Sequence, residues 1–369
     1  MAQDLRPQWI DTADGVREVA AVCRAAGRLA LDTEADSMYS YFHKVCLVQV
    51  TADGRSIVID PLALKAADLE PLWTVVGDPA VPVLMHGADY DIRVLDRDYG
   101  AQVRGLEDTQ VMAQLLGEPK TGLAALLEQE LGVRLDKKHQ RADWGQRPLT
   151  RSQVAYAAAD TAYLADLAAR LQRRLETLGR WSWAEAEFRA LEEVRFVAPA
   201  EDPLVFERIK GSHTLRGEAR DRLFSLHRWR DGAARELDLP PFKILGNREL
   251  LVLAEAPPGD LEALAAVAGG SARVLRHWGD EVLAHLQAPS PAPPRTKAPR
   301  QPELGPEARQ RLKRLLAARD ACAGALGLTP GLLCPRSCVE AVTLAAPKHA
   351  RERDLVAAGL QGWRLQVLA

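Results

Sequence analysis

Three apolar runs open the chain: residues 27–35 (GRLALDTEA), 45–61 (VCLVQVTADGRSIVIDP) and 81–87 (VPVLMHG), with helix-periodic stretches between them. Short apolar runs bounded by turn residues predict buried strands, and their alternation with helices predicts an α/β unit. Asp53-Gly54 divides the second run into two apolar halves, the pattern of a hairpin, so the sheet is expected to be mixed. From Asp108 onward the apolar spacing changes to three and four, through VMAQLLG, GLAALLEQELG and SQVAYAAADTAYLADLAARLQRRLETLG. The sheet is finished by that point and helices follow.

A second helical unit is expected over residues 203–287, with apolar spacings of three and four interrupted by Pro240-Pro241 and Pro257-Pro258. Residues 288–302 carry six prolines and three basic residues in fifteen positions, a composition that packs no core and favours an extended linker. Helical periodicity resumes over 303–369 and predicts a third unit.

Bulk composition narrows the class without naming it. In 369 residues, 47% are hydrophobic and 27% charged, the range of ordinary globular proteins. The net charge of −2 supplies no global field for nucleic acid, so binding of that kind requires local basic patches. The first fifteen residues lack the basic and apolar regions of a secretory signal, and no apolar run approaches a membrane span. Five cysteines, an odd count, fit reduced thiols, and a cytoplasmic protein without membrane contact is expected. The Cys334 and Cys338 pair, with Cys322 and no nearby histidine pair, reads better as buried thiols than as a zinc site.

Chemistry enters through three acidic features. Asp32 and Glu34 end an apolar run two residues apart, so a strand projects both carboxylates from one face. Two such groups repel unless a cation lies between them, and carboxylate ligands favour magnesium or manganese. A solvated strand end is the plainer reading of that pair alone. His86-Gly-Ala-Asp-Tyr-Asp91 follows a strand, where α/β sheets gather ligands, although a helix N-terminus also accounts for Asp89 and Asp91. Tyr156 and Asp160, four apart, share one face of a helix otherwise lined with alanine.

Taken in order, Asp32 and Glu34, the H-x4-D ending at Asp91, and Asp143-Trp-Gly-Gln-Arg-Pro-Leu-Thr150 followed by Tyr156-x3-Asp160 resemble the DEDDy exonucleases of the ribonuclease D type. The resemblance covers roughly residues 10–200. It implies a ribonuclease H-like exonuclease domain over 1–200, a mixed sheet flanked by helices. It also implies that Asp32, Glu34, Asp91 and Asp160 bind two divalent metal ions about 4 Å apart, Mg²⁺ or Mn²⁺, while Tyr156 orients or deprotonates the attacking water. Asp108 is expected to be a helix cap or a supporting group instead of a ligand.

Seven Arg or Lys residues lie between Arg208 and Arg230, with His213, His227 and Trp229 among them. Lys210, Arg216, Arg220, Arg228 and Trp229 are the candidates there for phosphate contact and base stacking. A solvated helix with Trp229 in the core explains them equally. The stretch LFSLHRWRDGAARELDLPPFKILGNREL resembles an HRDC domain, a nucleic-acid-binding helical module, which favours binding over 203–287. Residues 303–369 resemble a second, more divergent copy, so two small all-α HRDC-type domains are expected. Lys137, Lys138, Arg141 and Arg147 form another basic cluster just before Tyr156, placed to track a substrate backbone. Gly117 and Gly122 have P-loop spacing, but Leu123 and Ala124 replace its Lys and Ser/Thr, which excludes that nucleotide site. The family implies an enzyme that trims RNA from free 3′ ends, tRNA precursors among them, and a monomer is the default expectation. A DNA exonuclease of the same superfamily and an inactive binding scaffold are the alternatives.

Overall fold

The computed structural model of the protein describes residues 6–136, 138–268, 272–295, 304–345 and 351–368. Lys137 and part of the proline-rich stretch, residues 296–302, lie outside them.

The predicted apolar runs become strands β1 (Gln8–Ile10), β2 (Leu29–Ala35), β3 (Val45–Ala52), β4 (Arg55–Ile59), β5 (Val83–Met85) and β6 (Leu106–Asp108). They form one sheet in the order β1-β4-β3-β2-β5-β6. β1 runs parallel to β4, β5 runs parallel to both β2 and β6, and β3 and β4 are antiparallel. The mixed sheet expected from the hairpin is therefore present. Its turn has positive φ at both Asp53 (50°) and Gly54 (70°), the conformation that matches the twist of the paired strands.

Helices cover the sheet: α1 (Ala13–Ala26), α2 (Ala66–Val76), α3 (Asp89–Tyr99), α4 (Thr109–Leu115), α5 (Leu123–Leu131), α6 (Arg151–Ala162), α7 (Leu164–Thr177) and α8 (Trp181–Glu192). Their ends follow local rules. The Thr12 hydroxyl accepts from Gly15 N at the start of α1, and Gly27 ends that helix at φ 65°. At α6, Thr150 and Gln153 cap each other reciprocally, so the helix that carries Tyr156 and Asp160 begins at a defined residue.

Beyond residue 200 lie α9 (Gly217–Glu236), α10 (Pro241–Ile244), α11 (Asn247–Glu255), α12 (Leu261–Ala268) and α13 (Ala272–Gln287), then α14 (Pro306–Leu326), α15 (Pro330–Leu333), α16 (Arg336–Ala345), α17 (Glu352–Ala357) and α18 (Trp363–Leu368). The chain divides into two compact units. One contains Met1–Glu34, Val45–Phe196 and Gln301–Ala369, and the other Ala35–Lys44 and Val197–Arg300.

In the first unit the C-terminal helices share a core with the sheet's own helices: Ala323, Leu328, Leu333 and Trp363 are buried in it. The Trp363 ring stacks on Trp183 of α8 at 4.5 Å and 10°, its indole N–H donates to Glu187, and Arg364 forks onto the same carboxylate. Arg180 donates to the carbonyls of Leu115 and Leu326 and so ties α4 to α14. In the second unit, Phe206, Leu223, Leu226, Trp229 and Leu253 form the core. The excursion Ala35–Lys44 is fastened there by Tyr41 donating to Asp231, Phe42 N donating to Asp238, and Lys243 lying 4.0 Å above the Tyr39 ring.

Candidate active site

Three elements bring the acids together. β2 supplies Asp32 and Glu34, the first turn of α3 supplies Asp91, and α6 supplies Asp160. The turn between β5 and α3 is held open by Asp108. Its carboxylate accepts from Gly87 N (3.0 Å), Ala88 N (2.8 Å), Gln110 N (2.7 Å) and Val111 N (3.3 Å). Asp108 thus caps α4 and fixes the entry to α3, and with its oxygens so occupied it is no free ligand. Gly87 has φ 73°, and a Cβ there would press on the Gln110 amide. His86 is tied through Nδ1 to Thr109 Oγ1 at 2.9 Å.

The acids perturb one another. Burial raises the Asp32 carboxyl well above its ordinary value, and the charges of Asp91, Asp160 and Glu34 raise it further. Glu34 is pushed up to about 8 by burial and by Asp160 and Asp91. Asp160 rises to about 7 through burial, and Asp91 to about 6 through burial, tempered by the Thr33 hydroxyl that donates to it. Asp32, Glu34 and Asp160 are half-buried in the fold, and Asp91 is buried. Such a collection of desolvated like charges disfavours ionisation until a cation arrives.

Among the described residues, no group of three His, Cys, Asp or Glu is already arranged as a cage for a metal ion. The charges of Asp91 and Asp160 act on both Asp32 and Glu34, which places the four carboxylates within electrostatic range of one another. The donor set, four carboxylates and no thiol or imidazole, fits a hard divalent cation.

Tyr156 lies beside them. Burial and the charges of Asp160, Glu34 and Asp32 hold its phenol above the ordinary tyrosine value, so it keeps its proton at neutral pH. Its ring stacks on Trp144 at 6.1 Å and meets the edge of His139 at 5.8 Å, while His139 Nε2 lies 2.8 Å from Ser152 Oγ. His139 and Trp144 escaped the residue-type reading because neither is acidic. The signal for Trp144 was its place in the Asp143-Trp-Gly stretch just before Tyr156, and His139 lies four residues ahead of that stretch.

Several candidates for nucleic-acid contact have partners within the protein. Arg147 forks onto Asp60 at 2.7 and 2.6 Å and donates to the carbonyls of Cys46, Trp144 and Gln146, so its guanidinium is consumed in joining the α6 approach to the sheet. Arg220 pairs with Glu207 at 2.6 Å, donates to the Pro293 carbonyl and covers the Phe206 ring. Trp229 is 6% exposed and belongs to the core, because its position on α9 faces Leu223, Leu226 and Ala233. Lys138, Arg141, Lys210, Arg216 and Arg228 are exposed, with Arg216 also donating to the Leu215 carbonyl at 2.7 Å and Arg228 lying over Phe224.

Trp229→Phe is expected to leave RNA affinity within about twofold of the parent, whereas Trp229→Ala should cost about 3 kcal/mol of stability through the cavity it opens. Fluorescence anisotropy with labelled RNA and thermal melting distinguish these effects. A large affinity loss in a stable Trp229→Phe variant would return this side chain to the binding surface.

Residues 7–176 match the 3'-5' exonuclease family model and residues 219–286 the HRDC domain model. A ribonuclease D from Gluconacetobacter diazotrophicus is 30% identical over 98% of this chain and 90% of its own length. The crystal structure of Escherichia coli RNase D, described as an exoribonuclease involved in structured RNA processing, matches at 26% identity over 99% of both chains, TM-score 0.66. The catalytic core of RRP6 from Trypanosoma brucei matches at 26% identity over 78% of this chain and 80% of that one, TM-score 0.72.

Proposed function

Given that the chain belongs to the ribonuclease D family of 3′→5′ exoribonucleases, we propose that it removes nucleoside 5′-monophosphates one at a time from RNA 3′ ends, tRNA precursors among them, using divalent cations. The observation that carries this reading is the convergence of Asp32, Glu34, Asp91 and Asp160 from three separate elements, close enough that the charges of Asp91 and Asp160 raise the carboxyls of Asp32 and Glu34. When bound, two divalent ions, Mg²⁺ or Mn²⁺, supply acidification of water and counter-charge for the phosphodiester oxygens.

The chain's own residues do the rest. The four carboxylates would hold the cations, and their half-buried setting would strengthen that attraction relative to bulk water. Tyr156, kept protonated, donates a hydrogen bond that orients the attacking water, while Trp144 and His139 hold its ring in place. Lys138 and Arg141, on the segment leading to α6, and Lys210, Arg216 and Arg228 in the second unit give salt-dependent contacts to the phosphate backbone.

Purified protein incubated with 3′-extended RNA and matched single-stranded DNA, with Mn²⁺ or with EDTA, tests this at single-nucleotide resolution. Laddering of RNA that requires Mn²⁺ is the expected result. Laddering of DNA in preference indicates a DNA exonuclease, and intact substrate under every condition indicates a binding scaffold. Tyr156→Phe is expected to lower kcat by about 10²-fold or more with RNA binding retained. Unchanged turnover in that variant removes the phenol from the reaction.

A further inference from the structure

Gln49 lies in the middle of β3, is 0% exposed, and neither its Nε2 nor its Oε1 has a hydrogen-bond partner. Buried amides are ordinarily paired, since a desolvated donor and acceptor left alone weaken the fold. The neighbouring positions are Val48 and Val50, and an apolar side chain of similar length fills the same volume without that penalty. Packing therefore supplies no reason for the amide.

Register places the side chain. Gln49 pairs with Val58 of β4, and Val58 shares a buried cluster with Leu47, Ala157 and Ala158. Two residues further on, Thr51 Oγ1 lies 2.8 Å from Thr161 Oγ1 of α6. Strand residues two apart share a face, so Gln49 sits on the α6 side, between Leu47 and Thr51. The facing stretch of helix, residues 157–161, is Ala-Ala-Ala-Asp-Thr, and its one charged group is Asp160. No hydrogen bond or ion pair holds that carboxylate among the described residues.

We propose that Gln49 is a positioning residue for Asp160: its amide N–H would donate to the Asp160 carboxylate when that carboxylate serves as a cation ligand. The amide Nε2, on an element facing the carboxylate, then gains an acceptor, and the carboxylate gains a donor. This inference rests on the cation-site reading above. Carboxylates that ligate metals are held in turn by hydrogen bonds, and removal of such a partner lowers metal affinity about 10- to 100-fold.

The test uses the full chain with Gln49→Met and Gln49→Leu, both apolar and close in volume. Mn²⁺ binding is measured without RNA by titration calorimetry, melting is measured in EDTA, and the exonuclease rate is followed against Mn²⁺ concentration. The expected result is a Kd for Mn²⁺ raised about tenfold or more, a matching shift in the half-maximal Mn²⁺ concentration, and a melting temperature equal to or above the parent's. Unchanged Mn²⁺ affinity in a folded variant overturns the assignment. So does a melting temperature lowered in both variants, because the amide then serves the fold alone. Failure of the parent chain itself to bind Mn²⁺ overturns the cation site, and is read from the parent arm without reference to Gln49.

Discussion

Asp160→Asn is expected to abolish exonucleolysis and, in the same molecule, to raise the melting temperature of the cation-free protein. The two effects share one cause. Asp160 is a half-buried carboxylate near three others, which benefits cation binding and burdens the fold without a cation. Loss of one cation ligand should lower turnover on the order of 10³-fold, equivalent to about 4 kcal/mol of transition-state stabilisation.

The stability gain has a defined pH dependence. In the unfolded chain a carboxyl of this kind releases its proton near pH 4, whereas in the fold Asp160 keeps it until about 7 and Glu34 until about 8. Between those limits the folded state binds more protons than the unfolded one, so the stability of the parent falls as pH rises across that window. Asparagine has no proton to lose. The variant should therefore exceed the parent by roughly 2 kcal/mol or more at pH 8 in EDTA, with the difference shrinking toward pH 4. Mn²⁺ should restore the parent and leave the variant little changed. Equal melting curves at pH 8 would mean that the four acids do not burden one another, and the site as described would fail.

Arg147→Ala is expected to destabilise the first unit by about 3 kcal/mol, because it leaves Asp60 buried without its partner. Asp60 is 5% exposed and receives two of the guanidinium's hydrogen bonds, and three carbonyls receive the others. Arg147→Lys keeps the charge but not the planar fork, so most of the loss should remain. Because α6 starts at Arg151, just beyond this anchor, activity should fall as well, through displacement of Tyr156 and Asp160. Urea melts followed by RNA binding at a temperature where the variant is folded separate the causes. A variant with the parent's stability and weakened RNA binding would make Arg147 a substrate contact after all.

Local patterns made much of this protein legible in advance. The strand runs, the Asp53-Gly54 hairpin and the Asp32/Glu34 pair depend on neighbours two to four residues apart, and such spacings survive in the folded chain because backbone geometry imposes them. Asp108 was readable as a cap for the same reason. The acids of β2, α3 and α6 were joined in advance only by their resemblance to a family.

The fate of the basic residues was another matter. Arg147, Arg220 and Trp229 look in sequence like Lys138, Lys210 and Arg228, yet the first three are buried or paired and the others face solvent. What separates them is a partner 87 residues away for Arg147 and 13 residues away for Arg220, and a core for Trp229. Equally hidden were the passage of Ala35–Lys44 into the second unit and the entry of Trp363 into the core of the first. Composition and periodicity specify which side chains need burial or a counter-charge. Only the tertiary fold decides which distant group supplies it, since that choice turns on the packing of elements far apart in the chain.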